Sequence, residues 1–279
     1  MSIVRHQPLL GQIFARLSFH IRKLLYVTSL VATHSPLLVL KNKLIENLTL
    51  PTCWEKNDSF RYIDIIDDKL GLLYSGPGNE SDAAASRANN PIPSDIGIYY
   101  YEIEIIDEGE KKNIGIGFSE PNASLNRLPG WDWNSYGYHG DDGNRFWCGR
   151  GIRYGPLFSK GDVVGCGINY LNQSAFYTIN GIHLGTAFMS LKGEYYPMVG
   201  MRSIDERILV NFGSKPFLFD INNYSKAIFS EYLKRWEERK KEPDDDGVNV
   251  NIINNILPDV PILDDDFYDE VDLASLFFP

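Results

Sequence analysis

Three groups of residues in this 279-residue chain could do chemistry. Glu102, Glu104 and Asp107 lie in Gly97-Ile-Tyr-Tyr-Tyr-Glu-Ile-Glu-Ile-Ile106-Asp107. On a strand, Glu102 and Glu104 leave the same face about 7 Å apart at Cα, a separation that suits the acid and nucleophile of a retaining glycoside hydrolase. No aromatic sugar-binding cleft is evident beside them. His139, Asp141 and Asp142 could ligate a metal, but three ligands on one short stretch need a distant fourth, and none is suggested. Cys53, Cys148 and Cys166 are far apart and contain no Cys-x-x-Cys pair, so neither a disulfide framework nor a zinc knuckle is indicated. Cys166 sits in the apolar run Val163 to Ile168 and reads as a buried, inert thiol. No serine or cysteine nucleophile arrangement is visible. The expectation is a protein that is not an enzyme and that has no cofactor and no metal.

Binding chemistry is better represented. Segments 86–95 and 126–143 are rich in turn residues and carry groups a core does not need. Trp131, Tyr136 and Tyr138 combine large rings with polar tips and have little rotamer entropy to lose. The planar fork of Arg87 suits a carboxylate or a carbonyl, Asn89 suits backbone groups, and His139, Asp141 and Asp142 would line a rim. Each has a plainer reading as well. Trp131, beside Pro129-Gly130, could be a packing anchor, Arg87 could brace a loop, and Asp141-Asp142-Gly143 could be a turn whose carboxylates accept backbone N–H groups.

The elements that must position these groups are mostly strands. Tyr99, Tyr101, Ile103 and Ile105 alternate with Tyr100, Glu102 and Glu104, the period of two that a strand requires. Further strands are predicted at 61–66, 71–74, 114–119, 162–169, 174–179, 196–202 and 208–212, each bounded by Gly, Pro, Asn or Asp. Asn180-Gly181 between apolar runs signals a type I′ hairpin. Many short antiparallel strands imply an all-β fold, a two-sheet antiparallel β-sandwich. Tyr224, Ile228, Tyr232, Leu233 and Trp236 follow at helical spacing, predicting an amphipathic helix over 223–241 that closes the domain.

The ends differ from the middle. Residues 1–45 hold Arg5, Arg16, Arg22, Lys23, Lys41 and Lys43 and no acid. A basic extension 1–49 is expected, readable as a loosely packed extension, a targeting segment or a membrane-associated segment. After Lys241 there is no Lys or Arg, and Asp244–Asp246 and Asp264–Asp266 mark an acidic, disordered tail over 242–279. The formal net charge of -10 disfavours a polyanionic partner, so nucleic acid is not expected.

The stretch 50–222 is similar to the SPRY domain of the Ran-binding protein M family, the scaffold subunits of GID/CTLH ubiquitin ligase complexes. Residues that carry the resemblance are Leu50-Pro-x-x-Trp54, Ala84-Ala-Ser-x-Arg87-Ala-x-x-Pro91-Ile-Pro93, Ile114-Gly-Ile-Gly117, Asn126-Arg-Leu-Pro-Gly-Trp131-Asp and Ser135-Tyr-Gly-Tyr-His-Gly-Asp-Asp-Gly143. Tyr154-Gly-Pro, Phe176-Tyr-Thr-x-Asn-Gly181, Leu184-Gly-x-Ala-Phe188 and Asn211-Phe-Gly213 continue it. The resemblance implies a concanavalin-like sandwich whose loops grip a short peptide of a partner protein, in a cytoplasmic or nuclear setting and in association with ubiquitin ligase subunits or substrates. It implies that Arg87, Asn89, Pro91, Trp131, Tyr136, Tyr138, His139, Asp141 and Asp142 form the peptide-binding surface, with Arg202 beside them in Met201-Arg-Ser-Ile204. Other SPRY families that bind Asn-rich peptides use a Trp near that segment; Arg202 instead suggests tolerance of an acidic ligand. The LisH, CTLH and CRA helical segments that follow the SPRY domain in this family are not evident. Two rival readings are a membrane-tethered SPRY adaptor for ubiquitin-dependent sorting, suggested by the basic start, and a concanavalin-like protein that binds or hydrolyses glycans.

Overall fold

The structure is a computed structural model and describes residues 49–79 and 81–239. The basic segment 1–48 and the acidic segment 240–279 lie outside the described residues, as do the expectations placed on them. The described residues divide into a sandwich, Thr49–Ile221, and a helix that follows it from Asn222. The helix, α1 (Ile221–Arg239), carries Tyr224, Ile228 and Tyr232 at helical spacing, with an Arg235–Glu231 ion pair one turn apart. Among the described residues no helix is long and apolar enough to cross a membrane.

The sandwich has fourteen strands. They are β1 (Trp54–Ser59), β2 (Ile63–Ile66), β3 (Gly71–Tyr74), β4 (Ala84–Ala88), β5 (Ile98–Asp107), β6 (Gly115–Ser119) and β7 (Ser135–His139). They continue as β8 (Asn144–Trp147), β9 (Arg150–Arg153), β10 (Val163–Asn169), β11 (Ser174–Ile179), β12 (Ile182–Phe188), β13 (Tyr196–Met201) and β14 (Arg207–Asn211). The first sheet has the order β1-β4-β13-β6-β7-β8-β9 and the second β12-β11-β10-β5-β14-β3-β2. Every pairing is antiparallel.

The expected two-sheet sandwich is present, and β5 shows why the alternation produces it. Tyr99, Tyr101, Ile103 and Ile105 are buried between the sheets, with Ile116, Phe118 and Tyr138 buried on the first sheet. Burying each such side chain contributes roughly 1.5–3 kcal/mol. The other face of β5 is covered too: Phe217 and Phe219 lie against Tyr100, their ring centroids 5.0 and 5.4 Å away. Asn180 and Gly181 adopt φ of 51° and 78°, as the predicted hairpin turn requires.

Six strands lie outside the predicted ranges: β1, β4, β7, β8, β9 and β12, the last implied only by the Asn180-Gly181 hairpin signal. Segments 86–95 and 126–143, read from the sequence as loops, contain the end of β4 and all of β7. What remains of the second, together with the residues before it, is a strap over 120–133 lying on the outer face of the first sheet. Glycines make its seat. A Cβ on Gly137 would stand 2.2 Å from the Pro129 carbonyl oxygen, and one on Gly200 would stand 2.8 Å from Pro129 Cδ. Leu128, Pro129 and Gly130 are buried there.

Candidate functional site

Turns from separate strands meet at one end of the first sheet, and a buried carboxylate holds them together. Glu206, just before β14, is fully buried. Its Oε1 accepts the Asn113 N–H at 2.6 Å and the Ser203 hydroxyl at 3.0 Å, and its Oε2 accepts the N–H groups of Arg202 at 2.6 Å and Ser203 at 2.9 Å. Four donors on one carboxyl tie the turn after β5 to the turn after β13. Burial pushes this carboxyl up to about 7 while the hydrogen bonds pull it down.

Arg202 is mounted on this hub. Its Nε and one Nη donate to Asn113 Oδ1 at 3.1 and 2.8 Å, and its guanidinium lies 5.4 Å from the centroid of the half-exposed Trp131 ring. Asn113 Nδ2 in turn donates to the exposed Asp141 carboxylate at 2.8 Å. Ile204, exposed by 47%, borders the cluster. Lys111 links the same turns, its N–H donating to Ser203 Oγ and its Nζ to the Gly78 carbonyl. The result is a solvent-facing patch with a fixed cation, an indole, a carboxylate and an aliphatic side chain. The rotamer freedom that Arg202 would otherwise lose on binding is already restricted.

The ten residues expected to form one surface separate into three places. Trp131, Asp141 and Arg202 come together at the Glu206 end, with His139 beneath them. His139 is a correction: it is buried, its Nε2 hydrogen-bonds the Pro129 carbonyl at 2.8 Å, and its ring stacks on Phe146 at 4.2 Å. It seats the strap and is not a rim residue. Asp142 is exposed but turned to its own loop, accepting Asn144 N–H at 2.9 Å and Asn144 Nδ2 at 2.8 Å, the turn anticipated as its plainer reading.

Arg87, Asn89 and Pro91 lie at the opposite end. Met198 of β13 pairs with Arg87, while Arg202 follows the other end of that strand, about 13 Å away along the chain. Arg87 is a second correction. It is only 5% exposed, its fork grips Asp58 at 2.6 and 2.7 Å, and its remaining Nη donates to the carbonyls of Glu120 and Ala123 at 3.1 and 3.0 Å. Two of its hydrogen bonds pin the strap and two hold Asp58 of β1. Asn89 Oδ1 accepts the Thr52 and Cys53 N–H groups and fastens the entry to β1, and Pro91 is half-buried beside the Ile92–Tyr195 bridge.

Tyr136 and Tyr138 do share a face, but that face looks inward, toward the second sheet. Tyr138 is a third correction: fully buried, it packs against Tyr154, Phe158 and Tyr177 and donates its hydroxyl to the Pro156 carbonyl. Tyr136 is half-buried between Phe118 and Trp147, stacked on both.

The residues that hold the Arg202 patch were missed. Asn113 follows the polar run Glu108-Gly-Glu-Lys-Lys, and Glu206 stands between Asp205 and Arg207; either reads as a solvated turn. The catalytic reading finds no free pair. Glu102 is buried and accepts the N–H groups of Leu218 and Phe219 and the Tyr100 hydroxyl, so it is a structural acceptor. Among the described residues no three His, Cys, Asp or Glu side chains gather to hold a metal.

Comparison with known proteins agrees with this architecture. Residues 98–215 match the SPRY domain family. The chain is 42% identical over 217 residues to Ran-binding protein 10 of Danio rerio, covering 76% of this chain and 36% of that protein. It is 47% identical over 179 residues to Ran-binding protein 9 of Homo sapiens, covering 63% of this chain and 25% of that protein. It thus spans about a third or less of these relatives' length. A crystal structure of a human SPRY domain superposes with a TM-score of 0.50 at 30% identity, covering 56% of this chain and 98% of that one. Strands β1–β4 precede the matched residues yet complete both sheets, and with that sandwich the chain belongs to the SPRY domain family and is a relative of Ran-binding proteins 9 and 10.

Proposed function

We propose that this SPRY domain is a protein-interaction module that binds a short acidic peptide segment of a partner at the Arg202 patch and transforms nothing. The observation that carries the reading is the mounting of Arg202. Asn113 and Trp131 hold the guanidinium at the surface, and its remaining N–H groups are available for a carboxylate. Asp141 beside it would receive an N–H or a basic side chain, and Ile204 would offer an apolar contact. The family resemblance supports placing the module with a GID/CTLH-type ubiquitin ligase, as a scaffold or substrate-recognition component.

Selection of peptides from a random display library on the full chain tests the proposal. The expected sequences carry Asp or Glu at a fixed position, and their affinity falls tenfold or more, about 1.4 kcal/mol, in Arg202→Ala and Arg202→Glu variants of unchanged melting temperature. Selected peptides without an acidic preference, bound equally by both variants, would refute it.

A further inference from the structure

One edge of the first sheet has an unusual surface. Hairpin β8–β9 ends the sheet, and all four residues of β9 are exposed. In register across the inner face, Tyr136 pairs with Trp147 and Trp147 with Arg150, while Tyr138 pairs with Arg145 and Arg145 with Ile152. Going outward, this face changes from buried tyrosine to Trp147, 51% exposed, and Ile152, 54% exposed. Trp133, 65% exposed, adjoins through the hydrogen bond from Trp147 Nε1 to its carbonyl.

Three arginines accompany the rings. Arg145 donates to the Ala187 carbonyl and lies over Phe188, 5.5 Å from the ring centroid, bridging to the edge of the second sheet. Arg150 and Arg153 enter none of the ion pairs found among the described residues. Along β9, backbone N–H and C=O groups also face outward with no strand beside them among the described residues, as on a sheet edge. Exposed indoles, cations without counter-ions and an open edge thus coincide in one hairpin.

We propose that the β8–β9 hairpin is a second docking surface, taking an extended, acidic and aromatic segment of a partner protein that adds as a strand alongside β9. Backbone bonds to the edge fix the segment's register; apolar side chains on its inner face cover Trp147 and Ile152, an acid at the end of that face meets Arg150, and acidic side chains on the opposite face reach Arg153. A second copy of the chain is disfavoured, since two arginine-bearing edges would repel each other. A nucleic acid is disfavoured because residues 242–279 hold 11 acids and no base, leaving the rest of the chain close to neutral and without a broad positive field.

Cys148, exposed in the β8–β9 turn, is a natural reporter position. The full chain, with Cys53→Ser and the buried Cys166 untouched, is labelled at Cys148 with an environment-sensitive fluorophore. It is titrated with a synthetic peptide alternating Asp or Glu with Phe and Ile. Saturable binding is expected, lost in Arg150→Glu/Arg153→Glu, weakened by 1 M salt and unaffected by Arg202→Ala. That last comparison keeps this surface distinct from the patch proposed above. No binding, or binding indifferent to the double charge reversal, overturns the proposal. So does a scrambled acidic peptide without aromatics, or a single-stranded oligonucleotide, that binds equally well. Tighter peptide binding in an Asp264→Asn/Asp265→Asn/Asp266→Asn chain would name that acidic segment as the occupant and overturn a partner protein. Self-association abolished by Arg150→Glu/Arg153→Glu would do the same in favour of a second copy.

Discussion

Replacing Glu206 by Gln should flatten one component of the pH dependence of stability. The folded carboxyl is raised to about 7 from an ordinary value of 4.5. Between those values the native state holds a proton that the unfolded chain has released, so stability falls as pH rises through this window and levels off above it. At about 1.4 kcal/mol per pH unit, the span of about 2.5 units amounts to roughly 3 kcal/mol. Gln cannot titrate. It also turns an amide N–H2 toward at least one backbone N–H among Asn113, Arg202 and Ser203, at a cost of about 1–3 kcal/mol for the orphaned donor. Wild type should therefore exceed the variant in stability at pH 4.5, and that advantage should shrink by about 3 kcal/mol by pH 7.5. Urea unfolding of both proteins at unit pH intervals measures it. The difference between the two curves is needed because His139 acts in the opposite sense: burial lowers its pKa, so stability from that ring rises with pH up to its unfolded value. A constant difference, or one that widens with pH, would mean that the four donors outweigh burial and would refute the reasoning.

Two further outcomes follow from the corrected residues. Arg87→Ala should cost about 2–4 kcal/mol, because Asp58 and the Glu120 and Ala123 carbonyls lose their donor together, and hydrogen exchange should accelerate in 120–131 before the rest of the sheet. Exchange that speeds up evenly across the sandwich would show that Arg87 does not pin the strap. Tyr138→Ala should cost about 3–5 kcal/mol by cavity formation, whereas Tyr136→Ala, with its ring already half in solvent, should cost clearly less by thermal unfolding. Equal losses would contradict the inward placement of Tyr138.

The strands legible in the sequence were those whose alternation or apolar run is imposed by burial: β5, β10, β11 and β13 stand within about two residues of their predicted bounds. The strands that were not legible hide their signal. β1 reads Trp-Glu-Lys-Asn-Asp-Ser, β4 is built of Ala, Ser and Arg, and β7 alternates Ser, Gly and His with tyrosine because its outer face must be low enough for the strap. Alternation says that Tyr136 and Tyr138 share a side without saying which side is inward, and so the pair was read as a contact surface. For Arg87 the misreading had the same root: once 84–88 is a strand, its side chain is directed onto the strap. The part of the site that was legible, Trp131, Asp141 and Arg202, consists of groups that turns present to solvent. Its foundation at Asn113 and Glu206 was not, since a buried carboxylate and a solvated one are written with the same letter.

The strap's seat is made of missing side chains, and that limits how this surface can change. Gly137 and Gly200 act as a mould: a single methyl at either would lift Pro129 and with it the indole that supports Arg202. Asn126 and Arg127 on the crown of the strap and Ile204 across from it face solvent instead, whereas Asp205 holds a φ of 69° that most side chains resist. Anyone wishing to redirect this scaffold toward a new ligand should randomise those outward positions and leave the mould untouched.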